Sequence, residues 1–220
     1  MIEDKQQLIN FDQKSNFEND NFFISKSNRH ILNLFDNWPN WEKNFLNISG
    51  EKFSGKTHLI NIFLKRFKGI KFEIEDLTNE GLKKIKTHKN IILENLNINI
   101  NEKLFFALLN IIDQDNKFLI ITTKKPIVNL KFELTDLNSR LNNFLLFNIE
   151  KPDDDLIFAL VIKNLSDRQI SLDKRLINYI TKRIDRSYDK IFDFIYKIDQ
   201  MSLKKKKSID LKIIKEVLGE

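Results

Sequence analysis

The stretch "ISGEKFSGKTHL", residues 48–59, decides how this chain folds. Gly50, Gly55, Lys56 and Thr57 fit the pattern G-x-x-x-x-G-K-[ST], in which a loop wraps closely around an anion. Glycines let the backbone turn tightly with its N–H groups pointing inward, and a following helix adds unpaired N–H groups and a positive dipole end. Lys56 has the reach for β- and γ-phosphates, and the Thr57 hydroxyl can ligate magnesium. The flanks suit the pattern. "NFLNIS" (44–49) looks like a strand, and Lys56 to Phe67 reads as a helix with Leu59, Ile60, Phe63 and Leu64 on one face. The chain has only five glycines, so two in one window argue against chance.

Working outward, strand and helix signals alternate. "IKFEIED" (70–76), "NIILEN" (90–95), "KFLIITT" (117–123) and "FLLFNI" (144–149) read as strands, and Glu102 to Ile112 as a helix. Strands separated by helices indicate a parallel sheet covered on both faces. The pattern changes at "EKPDDD" (150–155), where Pro152 and three aspartates mark a helix start. Beyond it only helices are expected, over about 153–165, 172–184, 188–201 and 209–218. The organisation expected is an extended polar arm over 1–21, an α/β core over 22–150 and a helical unit over 151–220.

"NIILENLN" (90–97) is where such a protein keeps a metal-binding acid and a catalytic acid. Here the pair is Glu94 and Asn95. Glu94 can hold magnesium directly or through water. Asn95 cannot act as a general base, because an amide accepts no proton near neutral pH. Asp113 and Asp115 lie too far along the chain to replace it. Binding of a nucleotide is therefore better supported than its hydrolysis.

Composition excludes other chemistries. The 220 residues are 41% hydrophobic, with nineteen phenylalanines, which suffices for a substantial core. Cysteine is absent, so there is no disulfide, thiol nucleophile or zinc–thiolate site, and a reducing cytoplasm is the natural compartment. His30, His58 and His88 have no metal-ligand spacing. No apolar run approaches the roughly 20 residues of a membrane span, and "MIEDKQQ" is unlike a signal peptide. The net charge of +6 is mild. Its densest cluster, Lys204 to Lys207, reads first as a solvated loop and second as a phosphate contact.

These residues resemble the AAA+ module of bacterial replication initiators of the DnaA type, closest to Hda, the short relatives that inactivate the initiator, particularly their alphaproteobacterial form. "NFFISKSNRHI" (21–31) is similar to the N-terminal box that packs on adenine, which implies roles for Phe23, Ile24 and Asn28. "GEKFSGKTHL" is similar to the family's phosphate loop and implies nucleotide contacts from Gly50, Glu51, Lys52, Phe53, Ser54, Gly55, Lys56, Thr57 and His58. Thr57 and Glu94 would hold Mg2+. "FLIITTKKP" (118–126) resembles the sensor I strand, with Thr122 or Thr123 as the polar sensor. "LTDLNSRL" (134–141) resembles the box carrying an arginine finger, at Arg140. The second sensor falls in "DRSYDKIFDFI" (185–195), where Asp189 occupies the expected arginine position and Arg186 stands one turn earlier. "QLINF" resembles a sliding-clamp docking peptide, with Gln7, Leu8 and Phe11 as anchors and Asn10 where an apolar residue is common.

The resemblance implies an AAA+ P-loop core with a parallel sheet flanked by helices, followed by a small helical lid. It implies a regulator that binds ADP or ATP, docks on the sliding clamp, and supplies Arg140 in trans to ATP held by the initiator DnaA. It admits a homodimer. No helix-turn-helix follows Glu220, so sequence-specific DNA reading is not expected. The alternatives are an autonomous ATPase and an adaptor that recruits replication proteins to DNA.

Overall fold

A computed structural model describes residues 22–205 and 207–220. The clamp-docking peptide at Gln7, Leu8 and Phe11 lies outside the described residues, as does Lys206.

Five strands form one parallel sheet. They are β1 (Phe45–Ser49), β2 (Ile70–Phe72), β3 (Asn90–Leu93), β4 (Phe118–Thr123) and β5 (Leu145–Asn148), in the order β2-β3-β4-β1-β5. The strand feeding the phosphate loop, β1, lies between β4 and β5, and all five of its residues are buried. That explains its near-continuous apolar character, since a strand covered on both faces has no reason to alternate.

Successive side chains point to opposite faces, and the core divides accordingly. Leu46, Ile48, Ile92 and Ile120 pack with α1 (Arg29–Asp36) and α2 (Lys56–Arg66). Phe45, Ile91, Leu93, Leu119 and Ile121 pack on the other face with α3 (Asn79–Ile85), α4 (Glu102–Gln114) and α5 (Thr135–Arg140). Asn47 interrupts the apolar run of β1 on this second face. Its amide donates to Ile121 O (3.2 Å) and Thr123 Oγ1 (2.9 Å) and accepts from Ile127 N (2.9 Å), so no polar atom of the side chain is left without a partner.

After β5 come four helices: α6 (Asp154–Asp167), α7 (Lys174–Thr181), α8 (Tyr188–Lys205) and α9 (Leu211–Leu218). They share an apolar cluster that includes Ile157, Val161, Ile180, Ile195, Ile198 and Ile214. The expected start at "PDDD" is realised. Asp153 accepts from Leu156 N at 2.8 Å, and Asp154 and Asp155 sit in the first turn of α6.

Three helices, α1, α3 and α5, are additions to the sequence reading. One strand is shorter than expected. The alternation of "IKFEIED" suggests a strand through residue 76, but the chain leaves the sheet after Phe72. Glu73 N donates to the Asp76 carboxylate at 3.0 Å, and Ile74–Asp76 closes as a 3-10 turn. A local side-chain cap outcompetes the ladder there.

Candidate nucleotide site

The loop after β1 is anchored to β4 by Gly50 N donating to Thr123 O at 3.1 Å. Both motif glycines are demanded by geometry. A Cβ at Gly50 would stand 2.7 Å from Ser54 Oγ and 3.1 Å from Ile149 Cβ. Gly55, at φ +92°, is the N-cap of α2, a left-handed position that costs an L-residue about 1–2 kcal/mol. Lys56 is buried, and its ammonium donates to Gly50 O and Glu51 O, each at 2.7 Å. Burial pushes its pKa down from the ordinary lysine value, and Lys124 pushes the same way, against Glu94 and Glu51. An ammonium under that strain gains from an anion placed before it.

A cavity of about 670 Å³ opens on this loop. Its floor is Lys52 to His58, and Phe22, Phe23 and Asn28 close one side. The Phe22 ring stacks on His58 with centroids 4.9 Å apart. The roof comes from the C-terminal helices: Leu156, Ala159, Leu160, Lys163, Asn164 and Asp167 of α6, with Tyr188 and Phe192 of α8. The α6 residues recur at helical spacing along one stripe, apolar at the start and polar at the end. Among the described residues, four lysines (52, 56, 124 and 163) and one carboxylate, Asp167, line the cavity. Its charge balance therefore suits a polyanion with an apolar portion.

Loop and roof are latched together. Glu51 Oε2 accepts from the Ser187 hydroxyl (2.8 Å) and Tyr188 N (3.1 Å), capping the start of α8. The Tyr188 hydroxyl donates to Glu150 O at 3.1 Å and meets Ser27 Oγ at 3.4 Å, and burial pushes its pKa up. Phe53, at φ 63° and 45% exposed, stacks on Phe192 with centroids 4.4 Å apart.

Of the residues expected at the site, Lys52, Phe53, Ser54, Gly55, Lys56, Thr57, His58, Phe23 and Asn28 line the cavity. Ile24 packs instead against the α1–α2 core. Gly50 and Glu51 shape the loop from behind. The two sensor candidates point to opposite faces. Thr122 Oγ1 accepts from Asn95 N at 2.9 Å, whereas Thr123 is bound by Asn47 on the far face. The residue of that segment lining the cavity is Lys124. Arg186 does not reach the cavity. It is 62% exposed and paired with Asp154 at 2.9 Å. Arg140 lies away from the cavity at the end of α5, with its guanidinium 4.8 Å from the Phe106 ring centroid and 3.2 Å from Asp113. That pairing also commits Asp113, while Asp115 faces Lys117 at 3.7 Å. Neither is offered as a base.

Glu94 is 1% exposed and lies on the α2 face of the sheet. Lys71 is aligned with Ile92 across the β2–β3 pair, and Glu94 is two residues on, so both side chains share that face. Lys71 Nζ sits 2.9 Å from Glu94 Oε2. The other oxygen, Oε1, is sealed from solvent without a hydrogen-bond partner. Asn95, in a left-handed conformation at φ 57°, donates its side-chain amide to Glu73 at 3.1 Å. No group of three or more His, Cys, Asp or Glu able to hold a metal ion occurs among the described residues. Of the pair expected to hold magnesium, Thr57 lines the cavity, and Glu94 meets Lys71 through one oxygen only.

The cavity roof is also where the chain meets a known family. Residues 153–218 match the model of the Hda lid domain. The chain is 23% identical over 234 residues to the chromosomal replication initiator protein DnaA of Borreliella afzelii, covering 94% of this chain and 48% of that protein. The chain is thus similar to DnaA along most of its length and to Hda over its C-terminal helices. It spans about half the length of the curated DnaA relatives it matches. The fold is similar to domain III of the Thermotoga maritima replication initiation protein DnaA, with a TM-score of 0.69, 18% identity, and coverage of 90% of this chain and 93% of that one. It is also similar to AMPPCP-bound DnaA from Aquifex aeolicus, with a TM-score of 0.62, 21% identity, and coverage of 83% and 65%.

Proposed function

We propose that this DnaA-related chain is a nucleotide-holding regulator of replication initiation that does not turn over its own nucleotide. The reading is carried by one observation: the loop Gly50–Thr57 opens into a lysine-lined cavity roofed by the Hda-like lid. The phosphates of ADP or ATP would lie on the loop, against Lys56 and the N-terminus of α2. The base would lie against Phe22, Phe23 and the apolar start of α6. AMPPCP binding by the Aquifex aeolicus relative supports this assignment. Asn95 in place of an acid, with Glu94 paired to Lys71, supports the reading that the segment after β3 supplies no base to activate water.

The partner would be the initiator DnaA. Arg140, at the end of an exposed helix and outside its own cavity, would be presented to ATP held by the initiator. A guanidinium can stabilise charge on a transferring phosphoryl group in a neighbouring subunit. Docking on the sliding clamp through Gln7, Leu8 and Phe11 would bring the two proteins together on DNA. The test is ATP turnover in a mixture of initiator, clamp-loaded DNA and this protein, wild type against Arg140→Ala. The expected result is acceleration by wild type, loss of it in the variant, and no turnover by either protein alone. Turnover by the isolated chain, unaffected by Arg140→Ala, would establish an autonomous ATPase instead.

A further inference from the structure

We infer that Asn164 reads the exocyclic amine of the base, so that the roof helix α6 selects an adenine nucleotide for this cavity. The inference rests on the nucleotide-binding reading above and extends it to the choice of base. Asn164 is 7% exposed and lines the cavity. Its side-chain Nδ2 donates to Leu160 O at 2.8 Å. Only the nitrogen of an amide can donate to a carbonyl, so this bond fixes which way the group is turned. Among the described residues no group donates to Oδ1, and that atom is not sealed from solvent. In a residue this buried, its opening is the cavity. The helix around it is held as well. Arg168 Nη1 donates to Asn164 O at 3.0 Å, and Arg168 Nε lies 3.6 Å from Asp199 of α8. The acceptor is thus set in place before a ligand arrives.

Its place along the stripe decides which ligand atom it meets. Leu156, Ala159 and Leu160 offer the base an apolar surface, and Asn164 follows Leu160 by one turn on the same side of α6. A base lying on the apolar part presents its edge to Asn164. The 6-amino group of adenine donates a hydrogen bond. The 6-oxo group of guanine or hypoxanthine accepts one, and would set oxygen against oxygen. A site built to pair with a donor rejects an analogue that lacks it, because the buried acceptor is then left unpaired. Asp167, three residues on, brings a carboxylate to the same end of the stripe, a second acceptor. Lys163, a donor on this stripe, acts on His58 and lowers its pKa, which places its charge toward the first turn of α2.

The test is calorimetric titration of ADP, IDP and 2′-deoxy-ADP into the full chain. IDP keeps the sugar and phosphates of ADP and exchanges the amine for an oxygen. IDP should bind at least about tenfold more weakly than ADP, and 2′-deoxy-ADP within about threefold of it. Equal affinities for ADP and IDP would overturn the inference while leaving the nucleotide site standing. Weakening of 2′-deoxy-ADP alone would also overturn it, and would assign the acceptor to the ribose. Binding of none of the three would overturn the site and the inference together. Asn164→Leu keeps the volume and removes the acceptor, and should bring ADP and IDP within about threefold of each other. Asn164→Ala carries the same expectation where the leucine variant does not fold. A folded variant that still prefers ADP about tenfold would take the selection away from Asn164.

Discussion

Removing the Glu51 carboxylate should loosen the lid at one defined place. In Glu51→Ala the start of α8 loses the oxygen that accepts from the Ser187 hydroxyl and from Tyr188 N. The contact is partly buried, and both bonds end on a charged acceptor. Hydrogen bonds to charged groups contribute about 1.5–3 kcal/mol and a helix cap about 1 kcal/mol, so a loss of about 1–3 kcal/mol is expected once solvent replaces part of the cap. For a chain of this size each kcal/mol lowers the melting temperature by roughly 2–4 °C. The effect should be local first. Backbone amides in the first turn of α8 should exchange with deuterium faster than in wild type, while those of β1 and β4 keep their protection. Glu51→Gln, which keeps an acceptor, should fall between. Hydrogen-exchange mass spectrometry reads this directly. Unchanged exchange over residues 187–192 in Glu51→Ala would refute the latch.

Two further perturbations test the core and the cavity floor. Asn47→Ala strips partners from Thr123 Oγ1 and Ile127 N at once, so urea unfolding should show a loss of about 2–5 kcal/mol, against under 1 kcal/mol for an ordinary surface asparagine. His58 is pushed below its ordinary value of 6.5 by burial first, and then by Lys163 and Lys65. The folded chain thus binds this proton less readily than the unfolded chain. Its contribution to stability is present above about pH 6.5 and is lost as pH falls below it. A proton NMR titration should place the His58 midpoint under 6.5, and Lys163→Ala should move it upward. An unmoved midpoint would exclude Lys163 as a cause.

Legibility in the sequence followed the strength of local signals. The β1–loop–α2 unit was readable because the glycine spacing, the apolar strand and the amphipathic helix coincide within about twenty residues. The lid start was readable because Asp153 caps α6 through its own side chain. α3 begins at a Thr78 cap but carries Gly81 and two lysines in seven residues, so its periodicity is faint. α5 is only six residues long and is set by tertiary packing of Leu137. β2 was overextended because "FEIE" alternates as well in a capped turn as in a strand. Within the site, the phosphate-loop residues followed from the motif. The roof did not, because Lys163, Asn164 and Phe192 lie more than a hundred residues away and nothing local ties them to the loop. The α6 stripe was the available signal. Lys71 was invisible for a related reason: its contact with Glu94 depends on strand order and register, which the sequence does not state.

The most direct measurement is a calorimetric titration of ADP into the wild-type chain and into Gly55→Ala. The account predicts one ADP bound per chain, and at least about tenfold weaker binding when a side chain is forced into the left-handed position at the mouth of α2. No binding by wild type, or equal affinity for the two proteins, would contradict it and would mean that the loop Gly50–Thr57 is not where this protein meets a nucleotide.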